Sequence, residues 1–465
     1  MKNLSFPKKD GFGYGIRRFL SSRYYLVFVS LCIFVGHTLA LEIPVALLLT
    51  LSTLLGFFLA EDLRFLLPLL LGGVCVISVA HTPYLPTESD YLFTVGLPYT
   101  IALCAIFTVG LTVFILRRRH FAAPLSSLPL RWGLLGFFAA MLWSGLGQEN
   151  RLQNLGYGIG VGASFLAVYL LFGLFHPKTA ENARHFLFTL LCVGLLVALE
   201  LLVLYCRSVA FRDGVPVKTS LLIGWGTWTH IGAMLGMCLP APFYLARASG
   251  RGYPLYLLSG AVMTAALLFS ASRASWLYGG VILALSLLLL SLGGKHRRAS
   301  RTLLAICFAL GLVAVRLLFP KITAFLSAFV QFGAGDNGRF ALWGEALRAF
   351  SAAPVFGRGF CNTDIVLEGF PAILPYLYHN TPLQMLASAG AVGLFLYAYH
   401  RLETLRLLWR KRHSALSLFL LLVAAAPVLF SITDEHIFHI YPAFFYAIAL
   451  SLAEGSYQEE PLIQA

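Results

Sequence analysis

Long apolar runs recur along almost the whole chain, and they constrain its fold more than any other feature. About fourteen of them approach or reach the length of about 20 residues that a helix needs to cross a bilayer. Inside a bilayer the backbone has no water to bond to, and a helix satisfies its own hydrogen bonds. The sequence therefore predicts an all-α polytopic membrane protein with about 12–14 transmembrane helices.

The composition agrees with this fold class. Of the 465 residues, 59% are hydrophobic and only 12% are charged, whereas a soluble domain has about 25% charged residues. The formal net charge of +14 could suggest a nucleic-acid partner. When the spans alternate from a cytoplasmic N-terminus, however, about 24 of the 34 Lys and Arg residues lie on the cytoplasmic side. The charge is a topology signal, and we expect no nucleic-acid partner.

The same alternation predicts the organisation of the chain in the cytoplasmic membrane. Residues 1–23 are basic, and no cleavage site follows the first apolar run, so we expect a cytoplasmic tail rather than a signal peptide. Residues 1–319 form a transmembrane bundle of about 11 spans. Residues 320–381 form a large extracytoplasmic loop with short helices, and residues 382–465 form the last spans and a short cytoplasmic tail.

The stretch from Gly338 to Gly393 is the most polar and irregular part of the chain. It reads GRFALWGEALRAFSAAPVFGRGF and, after an irregular segment, YHNTPLQMLASAGAVG. Apolar residues recur at helical spacing from Arg339 to Phe350, and Pro354 follows them, so the sequence predicts one short helix there. A long loop with structure of its own is usually functional.

His379 is the first candidate for chemistry in this stretch. Asn380 or Thr381 is suited to cap the following helix, and Pro382 suits its first turn. The positive end of a helix favours a neutral imidazole, which is the form that a general base needs. A loop histidine that only packs beside Tyr376 and Tyr378 is the alternative interpretation.

Arg273 and Arg339 are two further candidates. Arg273 lies between two apolar runs, where an arginine is costly and is usually paired or functional, or extends its side chain to the interface. Arg339 begins the predicted loop helix. Its guanidinium suits a phosphate, and a local ion pair with Asp336 is the alternative.

Two other polar groups have weaker signals. Trp225, Trp228 and His230 are suited either to stack on sugar rings or to form an interfacial aromatic belt. The group at 434–439 (Asp434, Glu435, His436 and His439) contains metal-ligand residue types. Nothing in their spacing fixes a coordination geometry, so we expect a polar turn there, and neither a metal nor a cofactor.

Two arginines and a histidine at the same side of the membrane indicate one reaction class, the transfer of a group from a lipid-linked phosphate donor. The arginines would bind the diphosphate and stabilise its developing charge, and His379 would take a proton from an acceptor hydroxyl.

Motifs in this region resemble those of a bacterial family. An SR dipeptide at 272–273, GR…W and PVFGRGF at 338–360, and HN…LQMLASAGAVG from 379 are together similar to the O-antigen ligase and polymerase superfamily, over about residues 220–400. The resemblance implies a dozen or so spans and one large external loop.

The resemblance also implies roles for individual residues. His379 would be the catalytic base of an inverting, metal-independent glycosyltransferase. Arg273 and Arg339 would bind the pyrophosphate of an undecaprenyl-linked glycan, and Asn380, Arg358 and Trp343 would support the motifs. A supporting role for His230 is also possible. The acceptor is not readable from these residues, because ligases, polymerases and protein-glycosylating members share the motifs.

A transporter or flippase for lipid-linked oligosaccharide is the alternative function. A transporter is expected to have paired halves with broken helices or charges near mid-membrane. Here the candidate residues collect at the outer ends of spans and in one loop, which favours an enzyme. A non-catalytic partner in envelope assembly is a third possibility, and the intact His-Asn pair and both arginines disfavour it.

Overall fold

The computed structural model describes residues 12–39, 41–75, 97–207, 209, 211–212, 215–216, 220–221, 228–332, 338–361, 377–434 and 436–457. These residues are overwhelmingly helical. Strands β1 (Phe211–Arg212) and β2 (Val215–Pro216) pair antiparallel in a small hairpin. The predicted all-α polytopic fold is confirmed.

The helices are numbered here in chain order over the described residues. They are α1 (Phe12–Leu20), α2 (Arg23–Thr38), α3 (Glu42–Leu59), α4 (Pro68–Cys75), α5 (Leu97–Arg118), α6 (Arg131–Trp143), α7 (Arg151–Phe175), α8 (Ala180–Arg207), α9 (Trp228–Cys238), α10 (Pro240–Ala248), α11 (Tyr253–Phe269), α12 (Arg273–Ser291), α13 (Arg297–Phe332), α14 (Arg339–Ala352), α15 (Thr381–Lys411), α16 (Ala415–Phe430) and α17 (Ile440–Ala453). Short 3-10 turns occupy Leu63–Leu66, Arg119–Phe121, Leu125–Ser127 and His436–Phe438.

Many of these helices are suited to cross a membrane. Within the described residues, 7 helices are long and apolar enough, or 8 if α1 and α2, which are bent by 69°, form one span. Further apolar helices of 10–17 residues lie among them. Large apolar side chains on α13, including Phe308, Leu310 and Leu317, are more than half exposed, as expected for a surface covered by lipid tails.

Helix α13 continues into the segment that the sequence predicts to be the large loop. The predicted span ends at residue 319, before Pro320, because proline lacks a backbone donor and is disfavoured in a helix interior. In the structure α13 is one helix that continues past Pro320 to Phe332. Helix α14 confirms the short helix predicted from Arg339. Residues 333–337 and 362–376 of the loop lie outside the described residues.

The helices that carry the candidate residues form one packed group. Helix α15 packs against α6 and α14, and α17 packs against α7 and α16. Helices α9, α12 and α16 also contact one another, with Ala233, Tyr278 and Phe430 buried where they meet. The ends of these helices therefore bring distant parts of the chain to one end of the bundle.

Helix α15 is broken within its length. Gly390 has φ +68° and ψ −164°, which interrupts the helical hydrogen bonds. Residues 354–361, the segment that contains the PVFGRGF motif, fill this break. The Arg358 and Gly359 amides donate to the carbonyls of Ala387 and Ser388, each at 2.9 Å, and the Ala391 amide donates to the carbonyl of Pro354 at 2.8 Å.

Segment 354–361 is also fixed from its other side. The fully buried Asn154 of α7 accepts a hydrogen bond from the Cys361 amide at 2.7 Å. The Gly145 amide donates to the carbonyl of Phe356 at 3.1 Å. The segment thus joins α7 to the break in α15.

Replacing Gly390 with alanine is expected to destabilise this arrangement. A Cβ at Gly390 would lie 2.3 Å from the Val355 carbonyl oxygen, and a positive φ costs an L-residue about 1–2 kcal/mol. We expect Gly390→Ala to lower the thermal unfolding midpoint of the protein in nanodiscs.

Gly311→Ala is the matched control, since Gly311 lies within α13 and a Cβ there would have no neighbour within 4 Å. We expect it to leave the midpoint unchanged or raised. Equal midpoints for the two variants would show that the break in α15 is not under this constraint.

Candidate active site

The start of α15 sets the position of His379. The Asn380 side chain caps the helix, because its Oδ1 accepts a hydrogen bond from the Leu383 amide at 2.9 Å. Its Nδ2 donates to the carbonyl of Ile432 at 2.9 Å. The cap predicted from the sequence is confirmed, and the same side chain also holds the chain after α16.

His379 is held in an unusual backbone conformation. Its φ is +52°, a region that residues other than glycine seldom adopt and that often marks a functional site. Its Nδ1 lies 3.0 Å from Oδ1 of Asp434. The His379 side chain is 36% exposed and that of Asp434 is 9% exposed, so the imidazole is open to a ligand while its carboxylate partner is covered.

The turn that carries Asp434 is fixed to α15 by backbone contacts. The Thr381 amide donates to the carbonyl of Ser431 at 2.9 Å, and the Ile437 amide donates to the Ser431 hydroxyl at 3.1 Å. These bonds act beside the contact between Asn380 and Ile432. The pairing of His379 with Asp434 is therefore built into the backbone of both elements.

The surroundings keep the Asp434 carboxyl ionised. Burial raises its pKa, but the facing His436 and the hydrogen bond from His379 outweigh burial and hold the pKa well below its usual range. Burial also lowers the pKa of the neighbouring imidazoles, that of His439 to about 4. The site thus contains a carboxylate among histidines that burial keeps neutral.

The alternative interpretation of His379 concerned its tyrosine neighbours. Tyr378 is buried between α14 and α15, beside Leu342 and Ala387, and its amide donates to the Gln384 side chain at 2.8 Å. Tyr376 lies outside the described residues. The contact that His379 makes through its Nδ1 is with Asp434 of the turn after α16.

Arg339 is the first residue of α14 and lies near the histidines. Gly338 precedes it with φ +76° and forms the N-terminal boundary of the helix. Burial, and then the charges of His379 and Arg339, lower the pKa of His436, whereas Asp434 raises it. Asp336, the alternative partner of Arg339, lies outside the described residues.

Arg273 begins α12 at the same end of the helix group. Ser272 caps this helix by accepting a hydrogen bond from the Ser275 amide at 3.3 Å. Helices α9 and α12 touch closely here, since a Cβ on Gly232 would lie 1.7 Å from the Ser275 hydroxyl oxygen. Arg273 itself is exposed. The contacts around His379 described above do not include it.

The supporting residues lie in different places. The ring of Trp343 packs edge-on to Phe340 in α14, and Arg358 lies in segment 354–361. His230 is in the first turn of α9, beside His436 and His439, with ring centroids 5.0 and 4.8 Å away. Trp225 and Glu435 lie outside the described residues.

Asp434 is the residue of the candidate site whose contact with His379 the sequence did not reveal. It was recognised only as part of a polar group at 434–439, and it lies 55 positions beyond His379. One signal was present: a charged residue in a short connection between two apolar runs must lie near the end of the bundle, where the next helix begins. Its pairing with His379 required the packing of α15 against α16.

One family model matches the part of the chain that contains these features. Residues 258–398 match a family described as O-Antigen ligase. The superfamily predicted from the sequence is therefore confirmed for this stretch. It contains Arg273, Arg339 and His379, and it ends before Asp434. A comparison with curated proteins finds no match.

The O-antigen ligase match supports glycosyl transfer as the general activity. O-antigen ligases are an enzyme family that works in a membrane on a lipid-linked glycan donor. The several apolar helices described above agree with a multi-pass membrane protein.

Removing the cap of α15 tests how the site is held. Asn380 makes two hydrogen bonds, whereas the matched N-cap Ser414 of α16 caps its helix through one, from the Ser417 amide. A lost cap costs about 1 kcal/mol, and a second lost bond about 1 kcal/mol more. We expect Asn380→Ala to lower the thermal unfolding midpoint further than Ser414→Ala does. Equal shifts would mean that the bond to Ile432 adds nothing.

Proposed function

We propose that this protein transfers a glycan from an undecaprenyl-diphosphate carrier to a hydroxyl acceptor at the outer face of the cytoplasmic membrane. The observation that carries the proposal is the contact between His379 and the buried Asp434, in the same part of the molecule as Arg339. The O-antigen ligase match over residues 258–398 supports the general reaction.

His379 acts as the general base in this proposal. Its Nδ1–H donates to the Asp434 carboxylate, and this bond fixes the tautomer in which Nε2 carries no hydrogen and can accept a proton. Nε2 takes the proton of the acceptor hydroxyl as that oxygen attacks the anomeric carbon. The carboxylate then stabilises the imidazolium that forms.

Arg273 and Arg339 bind the diphosphate of the donor. As the bond between the acceptor oxygen and the anomeric carbon forms, the bond from that carbon to the phosphate oxygen breaks, with inversion at the carbon. The leaving lipid diphosphate gains negative charge, and a guanidinium binds such an oxyanion through two parallel hydrogen bonds. The arginines take the part that a metal ion has in other transferases.

The distribution of charge supports the proposed orientation. Helix α17 begins beside His439 and, with 14 residues, carries the chain about 21 Å away. Directly after the far end of α17, Glu454 pairs with Lys178 at 2.7 Å. These two residues and Arg118 line one cavity. Basic residues favour the cytoplasmic side, so the end that carries His379 faces the exterior.

Replacing the base should abolish transfer. A positioned general base contributes about 100- to 10,000-fold to a rate, and we expect a loss of this size in His379→Ala. The assay uses purified protein in nanodiscs with a synthetic undecaprenyl-diphosphate oligosaccharide, and mass spectrometry follows released undecaprenyl diphosphate and the glycan product. His413→Ala, at an exposed histidine, is the control and should retain wild-type activity.

The products of that assay also separate the related activities. Longer carrier-linked glycan from the wild type indicates a polymerase, and turnover only after a second acceptor is added indicates a ligase. Near-wild-type turnover by a correctly inserted His379→Ala protein would overturn the role of the base. Movement of donor across the bilayer of proteoliposomes, without any transfer, would instead indicate a transporter.

Asp434→Asn tests the carboxylate as a positioning residue. The variant keeps an acceptor oxygen but loses the negative charge, and a hydrogen bond to a charged group is worth about 1 kcal/mol more than a neutral one. We expect kcat to fall about fivefold while KM for the donor stays constant. A change in KM alone would contradict this role.

Arg273→Lys and Arg339→Lys test the diphosphate assignment. Lysine keeps the charge but cannot form the bidentate contact, so each variant should bind undecaprenyl diphosphate about tenfold more weakly, as measured by titration in nanodiscs. Arg348→Lys is the matched control, because Arg348 is exposed on α14 and pairs with Glu345. Wild-type affinity in both test variants would show that neither arginine binds the diphosphate.

A further inference from the structure

Three histidines from two distant parts of the chain meet beside the candidate active site. His230 belongs to α9, and His436 and His439 belong to the turn between α16 and α17. One ring nitrogen of each lies within 4.8 Å of the others. The Nε2 atoms of His230 and His439 are 3.3 Å apart.

These separations suit a tetrahedral metal ion. Imidazole nitrogens bind Zn²⁺ at about 2.0–2.1 Å, so two ligands of one tetrahedron lie about 3.3 Å apart. The separation of the His230 and His439 nitrogens already has this value, and the third nitrogen is close enough to join them with a small side-chain movement. Three imidazoles are also a ligand set that suits zinc and its neighbours in the first transition row.

His436 provides an independent reason to expect a ligand. Its side chain is 1% exposed, yet neither of its ring nitrogens has a hydrogen-bond partner among the described residues. A buried polar group without a partner costs free energy, and in a native protein it indicates a ligand, an ion or a water. A metal ion would take up one of the two nitrogens.

We propose that His230, His436 and His439 form a binding site for a divalent transition metal of the Zn²⁺ type. Asp434 would connect this site to the base. Its Oδ1 contacts His379, and its Oδ2 lies 3.5 Å from Nε2 of His436. The carboxylate thus contacts the base directly and would reach the metal through His436.

Such a metal would slow glycan transfer. A cation bound to His436 makes that imidazole more positive and draws the negative charge of the carboxylate toward Oδ2. This weakens the hydrogen bond from His379 to Oδ1 and lowers the basicity of its Nε2. The site therefore gives the enzyme a means of inhibition by zinc. This effect rests on the proposed function, whereas the binding of the metal does not.

The binding test uses the full chain in nanodiscs, purified without a polyhistidine tag and treated with a chelator. Equilibrium dialysis against Zn²⁺ with elemental analysis gives the stoichiometry, and the visible absorption of bound Co²⁺ reports tetrahedral coordination. We expect one tight site in the wild type and in His379→Ala. A wild type that binds no more Zn²⁺ than the histidine variants would overturn the proposal.

Variants at each ligand separate this site from adventitious binding. His439→Ala changes a half-buried ligand, and the more conservative His436→Gln and His230→Gln keep buried volume if alanine prevents folding. Each should weaken Zn²⁺ binding at least tenfold and remove the Co²⁺ absorption. The exposed histidine variants His120→Ala and His413→Ala are the controls. Equal loss of affinity in the controls would contradict a specific site.

The effect on transfer is measured separately on the same preparations. Zn²⁺ at the concentration that fills the site should reduce the rate of the wild type at least severalfold, a chelator should restore it, and His439→Ala should resist the inhibition. Zinc binding without inhibition would contradict the proposed effect through Asp434, whereas the proposal of the metal site would stand. A protein without any transfer activity that still binds Zn²⁺ would contradict the proposed function alone.

Discussion

The break in α15 is the constraint on which the arrangement of the site depends. A helix at membrane depth must satisfy its backbone groups within the protein, since unpaired ones are costly in lipid. Gly390 frees several such groups, and segment 354–361 pairs with them through its own amides and carbonyls. Segment 354–361, which carries the PVFGRGF motif, is thereby held to the transmembrane helices. Helix α15, which begins shortly after His379, is held in place with it.

From this arrangement the position of His379 follows in short steps. Asn380 caps α15 and holds Ile432, Thr381 holds Ser431, and both contacts bring Asp434 to the imidazole. The carboxylate is covered while the imidazole is open, so the proposed base is accessible to an acceptor and its partner is protected. The backbone of His379 keeps its positive φ because hydrogen bonds of the residues on both sides hold it in place. His230, His436 and His439 are packed together beside the same carboxylate, and His436 lies 3.5 Å from it.

Much of the fold was predictable from the sequence, because the length of apolar runs, the helical spacing after Arg339 and the Asn-Thr-Pro start of α15 are local signals. The continuation of α13 past Pro320 was not predictable, since proline is disfavoured in a helix interior but is not excluded from it. Residue types alone drew attention to His379, Arg273 and Arg339. The pairing of His379 with Asp434, and of His230 with His439, joins residues far apart in sequence, and only helix packing brings them together.

The central claim is that His379 and Asp434 act as one unit in glycan transfer, and a double-variant comparison tests it most directly. Transfer rates would be measured for His379→Ala, Asp434→Asn and the protein with both changes. If the carboxylate acts only through the imidazole, the double variant should be no slower than His379→Ala, because the second change removes a partner that no longer acts. If the two losses multiply, Asp434 acts independently of His379, and the account is wrong.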